Sequence, residues 1–415
     1  MQSNAHVPRR NGGRRIVCRA SDAVLLSALG LLGGCRGAET NIIAPESPKL
    51  AVYANGIWLV NSLADPGDGQ CTSNECTLRE AIAAANVGDR ITFKSNLSGT
   101  ILLTSGTLLL QKHVTIKGLG YDLITVSGGG ATTVFEVGGQ NPVSAFLTDI
   151  TVTGGVSTGS GGGIIVSPGS SLRLTRTTVR DNRAVLGGGI SNSGTLTLVE
   201  STISDNAATE YGGGIRNGAV LTIESSTISR NVAGIGGGGI VDFCVPLVCD
   251  VGPRIWNTTI TGNSVTTLNA QGGGGVLTFL AATTANTIIA GNLTNGSVAG
   301  PDANCWGVVS SLGHSLTSLG GGCLFTDASD VVVTAALIFT SVLDPVLADH
   351  GGPTKTHALV ERGYAVDAGY CPGANADQRG LPRPYDDPAM PNALEACDIG
   401  SFEWEPAGKA KDPKP

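Results

Sequence analysis

The residues best placed to do chemistry are Asp181 and Asp205, which sit in two copies of one motif, VRDN and ISDN. They hold the same position in consecutive repeats, and Arg173, Arg180 and Arg183 lie in the same repeat as Asp181. Two carboxylates about 5–5.5 or about 6.5–9.5 Å apart are what a glycoside hydrolase needs. A polysaccharide lyase needs a base, often Arg or Lys, and carboxylates that hold Ca2+ against an acidic substrate. Asp181, Asp205, Arg180 and Arg183 are therefore the candidate catalytic cluster. The competing reading is neutralisation. Arg180 or Arg183 would pair with Asp181, and aligned repeats would stack Glu200 on Arg176 and Arg230 on Asp205. Such surface pairs are worth about 0–1 kcal/mol each. The hydrolase signatures N-T-D, G-H-G and R-I-K are absent, so neutralisation is preferred and the expectation leans away from an enzyme.

What positions these residues is a repeat. Gly161-Gly162-Gly163-Ile164 returns at 187–190, 212–215, 237–240 and, ending in Val, at 273–276, in steps of 26, 25, 25 and 36 residues. A second block, LRLTRTTVRDN, LTLVESTISDN and LTIESSTISRN, ends at Asn182, Asn206 and Asn231, with degenerate copies ending at Asn263 and Asn292. A period in the twenties marks a solenoid. Leu172 with Leu174, and Leu196 with Leu198, alternate with polar residues, which is the two-residue period of strands. Three short strands with their turns fill one such period. The predicted fold is all-β, a single-stranded right-handed parallel β-helix in which glycines supply turns of positive φ. Val179, Ile203, Ile228, Ile260 and Ile289 should stack in one interior column, and the asparagines should form a structural ladder. A leucine-rich repeat does not fit, because its L-x-x-L-x-L-x-x-N frame is missing.

Composition agrees with a folded rod. Glycine supplies 61 of 415 residues and charged residues only 14%, yet 41% is hydrophobic and mean hydropathy is positive. That excludes a charged disordered chain. The absence of a Gly-X-Y period excludes collagen, and 4% aromatics is too few for the girdles of a membrane barrel. A net charge of −7, with no basic cluster beyond the N-terminus, argues against a nucleic-acid partner. Residues 1–22 carry five arginines, and an apolar run from Ala23 to Gly34 follows, too short to span a bilayer. Leu32-Gly33-Gly34-Cys35 resembles a bacterial lipobox, so 1–35 is read as an export leader with Cys35 as the lipid attachment site. That lipid would be the only link to a membrane. Residues 36–55 are read as a linker.

Apart from Cys18 and Cys35, the cysteines fall as local pairs: Cys71 with Cys76, Cys244 with Cys249, Cys305 with Cys323, and Cys371 with Cys397. Four disulfides in an oxidising compartment are expected. Zinc would need convergent ligands, whereas His6, His113, His314, His350 and His357 are scattered singly. No metal and no cofactor is expected, apart from Ca2+ if the chain is a lyase.

The open ends of a parallel β-helix need covers. Thr77 and Glu80 form a capping box, and Leu78, Ala81, Ile82 and Ala85 make one apolar stripe. A short capping helix ending at Asn86 or Gly88, tied by Cys71–Cys76, is predicted over the first coil. The stretch NSLADPGDGQCTSNECTLREAIAAAN closely resembles the CSLREA domain of bacterial surface proteins, with Thr77 where that name has Ser. LDPVLADHGGPTKTHALVERGYAVDAGYC, DQRGLPRP and CDIGSFE resemble the choice-of-anchor Q module. The matching residues are Gly351, Gly352, Pro353, Thr354, His357, Asp367, Gly369, Asp377, Gln378, Arg379, Gly380, Arg383, Asp398, Gly400 and Glu403. The resemblance implies an exported β-helix related in shape to pectate lyases and polymorphic outer-membrane proteins, with no established activity.

The expected organisation is a cap and first coil at 56–100, β-helix repeats at 101–345, the anchor-type module at 346–404 and a polar tail at 405–415. Such modules usually precede a varied C-terminal anchor, whereas this chain ends in EPAGKAKDPKP, so anchoring is expected at Cys35. His357 and Arg379 are expected to shape loops over the last coil rather than to catalyse. Only Trp256 and Trp306 among the tryptophans fall near the shaft, so aromatic stacking surface for sugars is expected to be sparse. The expected function is a non-enzymatic adhesion rod, an outer-membrane lipoprotein or an extracellular protein, that binds extracellular polysaccharide or a host or matrix surface. The alternative is a polysaccharide lyase or glycoside hydrolase acting on an acidic glycan.

Overall fold

The computed structural model describes residues 56–244, 251–267, 272–295 and 303–406. The leader with Cys35, the linker and Cys249 lie outside the described residues. Four parallel sheets run along the molecule, a first and a second of ten strands, a third of five and a fourth of eight. One coil shows how the chain visits them in turn. Ser171–Thr175 belongs to the first sheet, Thr178–Arg180 to the second, Arg183–Leu186 to the third and Ile190–Asn192 to the fourth. Leu172 pairs with Leu196, Val179 with Ile203 and Ile190 with Ile215, each one coil on. This is the predicted parallel β-helix, and it is consistent with the right-handed crossovers that parallel connections adopt.

The interior follows from the two-residue alternation. Val179, Ile203, Ile228, Ile260 and Ile289 stand in one register column and are fully buried. Beside them the asparagine ladder is continuous from Asn182 to Asn304. Asn206 Oδ1 accepts both the backbone N–H of Asn182 at 3.1 Å and its Nδ2 at 3.0 Å. The same pair of bonds repeats from Asn206 to Asn231, Asn263, Asn292 and Asn304. Buried amides are thereby satisfied coil by coil.

Glycine supplies only part of the turning. Gly187 has φ 63°, and a Cβ on the following Gly188 would lie 2.3 Å from the Ala207 carbonyl oxygen. The corner between the first and second sheets is instead left-handed at Asp149, Arg176, Glu200, Ser225, Asn257 and Asn286. The corner after the second sheet is left-handed at Asp181, Asp205 and Arg230, then at Gly262 and Gly291. Asp and Asn suit such corners because their short polar side chains tolerate the left-handed region.

The N-terminal end is closed by a helix at Leu78–Ala84 that packs against strands Ile57–Val60, Arg90–Phe93 and Leu108–Leu110. Its capping box is complete, with Thr77 N–H donating to Glu80 and Glu80 N–H donating to Thr77 Oγ1. It stops at Ala85, one residue short of Asn86, and Lys112 Nζ donates to the terminal carbonyls of Ala83 and Ala85. A cation there also suits the helix dipole. Disulfides join Cys71–Cys76, Cys305–Cys323 and Cys371–Cys397.

The C-terminal segment does not stop over the last coil. After strand Val331–Val333 and a short helix at Ile338–Ser341 it runs back along the outer face of the second sheet. Lys355 O accepts from Thr202 Oγ1 at 2.7 Å, Ser401 Oγ meets Thr259 Oγ1 at 3.1 Å, and Gly400 N–H donates to Asn286 O at 3.0 Å. The outward column of that sheet explains the path. It reads Thr202, Thr227, Thr259, Ile288 and Leu316 in successive coils. Hydroxyls take the polar loops, while Ile288 and Leu316 join Ile338, Val342, Leu359, Ile399 and Phe402 in a second hydrophobic core.

Candidate functional site

Asp181 and Asp205 lie on consecutive left-handed corners, with φ of 56° and 57°. Each meets its own arginine. Arg180 Nη1 donates to Asp181 Oδ2, while Arg230 grips Asp205 through Nε and Nη2, both at 2.8 Å. These arginines and Asp181 are largely exposed. Arg183 heads the third-sheet strand opposite Ala207. Arg173 stands on the first sheet between Phe146 and Thr197, so it shares a coil with Asp181 but not a face. Arg176 lies 3.7 Å from Glu200, but its closer partner is Asp149, at 2.7 and 3.0 Å. The arrangement neutralises carboxylates at turns. A concavity of about 470 Å³ lies elsewhere, beside the capping helix, lined by Arg79, Ile82, Thr107, Leu110 and Lys112 among others.

A second concentration of titratable groups fills the joint between the C-terminal segment and the second sheet. His357 Nδ1 lies 2.8 Å from the Asp344 carbonyl, which can only accept, so this nitrogen carries the proton. Nε2 then accepts from Ser229 Oγ at 2.8 Å. Burial pushes the imidazole down to about 4, which keeps it neutral. Gln378 accepts from Thr227 at 2.6 Å and donates to Thr202 and Thr354 at 2.9 and 2.8 Å. Arg379 donates to Asp377 at 2.8 Å and lies 3.6 Å over the Phe402 ring. Arg383 and Glu403, both with fully buried side chains, approach to 3.4 Å. Burial pushes Glu403 up to about 7, and burial with the neighbouring Glu403 charge pushes Asp398 well up. Each of these polar groups is spent on the segment's own fold or its seat.

A third feature was not foreseen. Four rings from separate parts of the chain line up, Tyr211 at the end of a third-sheet strand and Phe243, Phe279 and Trp306 along the outside of the fourth sheet. Tyr211 meets Phe243 edge to face at 5.2 Å, Phe243 stacks on Phe279 at 5.5 Å, and Phe279 meets Trp306 at 5.6 Å between centroids. Phe279 is 46% exposed. Val241 and Leu277, outward in register on the same face, are fully buried. The Arg216 guanidinium extends the row at its other end, 5.9 Å from the Phe243 centroid. It occupies space over Gly218, where a Cβ would come within 3.0 Å of Arg216 Nη1. Phe243 and Phe279 each stand three residues after the aliphatic end of a glycine run, at Ile240 and Val276, so their alignment was legible. Tyr211 and Trp306 occupy other register positions and gave no such signal. Beneath the row, Asn192, Asn217, Asp242 and Thr278 form a second buried ladder, in which burial pushes Asp242 up to about 6.

No family model and no curated protein matches the sequence. Among solved structures the chain is similar to the crystal structure of pectate lyase Pel9A, with a TM-score of 0.52 and 16% identity over 85% of this chain and 98% of that one. The likeness is one of fold. No helix among the described residues is long and apolar enough to cross a membrane, and the three disulfides joining described cysteines suit an oxidising compartment.

Proposed function

We propose that the protein is an exported, non-enzymatic surface rod that binds glycan or matrix, held at the outer membrane by a lipid on Cys35. The observation that carries the reading is the pairing of Asp181 with Arg180 and of Asp205 with Arg230 on left-handed corners. A carboxylate held this way shapes a turn and has no free partner with which to share acid and base roles. The capping box at Thr77 and the seat of the C-terminal segment support kinship with CSLREA and choice-of-anchor Q proteins, because the matched residues act there as fold determinants.

Incubating the purified protein with pectins, alginates and glycosaminoglycans, with and without Ca2+, tests the reading. Polymer length should stay constant and no unsaturated ends should form. Either product would transfer the protein to the lyases or hydrolases. Mass spectrometry should find the mature chain starting at a lipidated Cys35, and an unmodified chain starting elsewhere removes the anchor.

A further inference from the structure

We propose that the row Arg216, Phe243, Phe279 and Trp306, flanked by Tyr211, is a binding strip for a linear anionic polysaccharide lying along the solenoid axis. The inference rests on the glycan-binding reading above and names the ligand class and the face.

The row has three properties that together select this occupant. First, its rings advance one per coil, with centroids 5.5 and 5.6 Å apart from Phe243 to Trp306. An extended pyranose chain repeats at a step close to that of the coils, so successive sugars can meet successive rings. Second, Phe279 is exposed and Phe243 and Trp306 are part-buried. Rings held this way offer apolar ring surface to C–H bonds while losing little side-chain freedom. Third, the row ends in a cation that has no counter-charge among the described residues. Arg216 donates to Ser193 Oγ at 3.3 Å, its buried Nε has no partner, and no carboxylate among the described residues pairs with it. Burial pulls its guanidinium below the ordinary arginine range, and an incoming carboxylate would relieve that cost. A neutral glycan would use the rings and leave Arg216 unpaired. A uronate chain uses both.

The strip lies on the fourth sheet, away from the Asp181 and Asp205 corners and from the C-terminal segment on the second sheet. Variants in it therefore leave the rest of the fold in place, and circular dichroism confirms that before binding is read.

Calorimetry or affinity electrophoresis with the full chain decides the matter, using polygalacturonate, its methyl ester, alginate and neutral dextran as probes. The native protein should bind polygalacturonate and alginate more tightly than the ester or dextran, and added salt should weaken the preference. Phe279→Ala should weaken uronate binding about threefold to tenfold, as expected for the loss of one stacked ring. Arg216→Gln should abolish the preference for free acid over methyl ester while ester binding persists. Unchanged uronate binding in both variants overturns the strip and leaves the glycan-binding reading standing. No binding of any polysaccharide by the native protein overturns both. A native dimer that Phe279→Ala converts to monomer makes the row an interface between copies and also overturns the strip.

Discussion

At the N-terminal cap, Asp65, Glu80 and Asp89 accept from backbone N–H groups that the chain leaves open. Thr104 and Ser105 donate to Asp65, Thr77 and Gly69 to Glu80, and Asn86 and Gly56 to Asp89. Burial alone would push Asp65 and Glu80 up, but these donors, with Arg79 on Asp65, outweigh it. Asp89 is lowered first by the Asn86 N–H and then by the Trp58 indole. In the C-terminal segment the same residue types behave oppositely. Asp398 accepts from the Asp367 and Trp404 N–H groups and Glu403 from those of Tyr385 and Asp398, but the two lie buried beside each other with one guanidinium, Arg383, and burial pushes both up. Backbone donors keep a buried carboxylate charged when it stands alone, whereas two buried side by side cannot both stay charged freely even with such donors. The cap is built to hold charge, and the segment tolerates it.

The most severe way to test the contrast is to remove the cation at each end. Arg383→Leu strips the only described ion-pair partner from a fully buried carboxylate cluster, and should cost about 3–5 kcal/mol. Arg79→Leu removes a partly exposed cation and leaves the buried Asp65 carboxylate with its Thr104 and Ser105 N–H donors, and should cost about 2 kcal/mol. Urea unfolding reads both. Because a solenoid couples mainly nearest neighbours, hydrogen exchange should place the first loss at 342–404 and the second at 57–110. Equal losses would mean that the two ends do not differ as described.

The neutral polar anchors come next. Gln378→Ala leaves hydroxyls of Thr202, Thr227 and Thr354 without their shared partner, for about 2–3 kcal/mol. Thr77→Ala removes one cap bond from a helix that keeps its other contacts, for about 1 kcal/mol. A larger loss at Thr77 than at Gln378 would make the cap, not the segment, the more tightly bound end.

These two anchors also separate what was legible from what was not. Thr77 and Glu80 are three residues apart, so the capping box could be read as a local pattern, as could the repeat period and the disulfide pairs. Gln378 and His357 find their partners 176 and 128 residues away, and no local pattern carries that information. The motif singles out the residues, but their seat is the second sheet at Ser229 and Thr202 rather than the last coil. Asp181 and Asp205 drew attention as a carboxylate pair, but the same column holds Arg230 and then glycines, which marks a left-handed corner. The aromatic row as a whole escaped because only Phe243 and Phe279 share a register position, while Tyr211 and Trp306 come from others on coils of unequal length.

Acidity should move the two ends in opposite directions by a smaller amount. Glu403 is raised from 4.5 to about 7 and Asp367 from 3.8 to about 6, and Asp398 is raised as well. Between the ordinary and the raised values the folded segment binds more protons than the unfolded chain, so its stability falls as pH rises from about 4 to about 7. His357 opposes this. Its value drops from 6.5 to about 4, so the unfolded chain binds the extra proton and stability rises over much the same window. Burial lowers His350 as well, which acts in the same direction as His357, and three carboxylates against two imidazoles leave a net loss. Asp65, Glu80 and Asp89 are lowered, so the cap should hold above about pH 4 and weaken only as pH falls further. Hydrogen exchange corrected for intrinsic rates, at about pH 5 and about pH 7.5, should show protection lost at 360–404 and kept at 78–85. Protection gained at 360–404 on going to the higher pH would reverse the assignment.

The smallest effects of removing a charge belong to the corners of the shaft, which lie between the two ends in position and differ from both in exposure. Asp181→Asn keeps a side chain that tolerates φ 56° and gives up an exposed contact with its neighbour Arg180, so stability should change by less than about 0.5 kcal/mol. Asp205→Asn breaks a two-bond pair with Arg230 that is partly exposed, for at most about 1 kcal/mol, and the loss should shrink in high salt. Asp181→Val puts a β-branched residue at the same left-handed corner and should cost about 1–3 kcal/mol although it removes the same charge. Thermal or urea unfolding of the three variants therefore separates geometry from charge. If Asn and Val cost the same, the carboxylate matters at this corner beyond its backbone shape. Neither Asn variant should alter polysaccharide binding or produce cleavage, and a change in either would return Asp181 and Asp205 to chemistry.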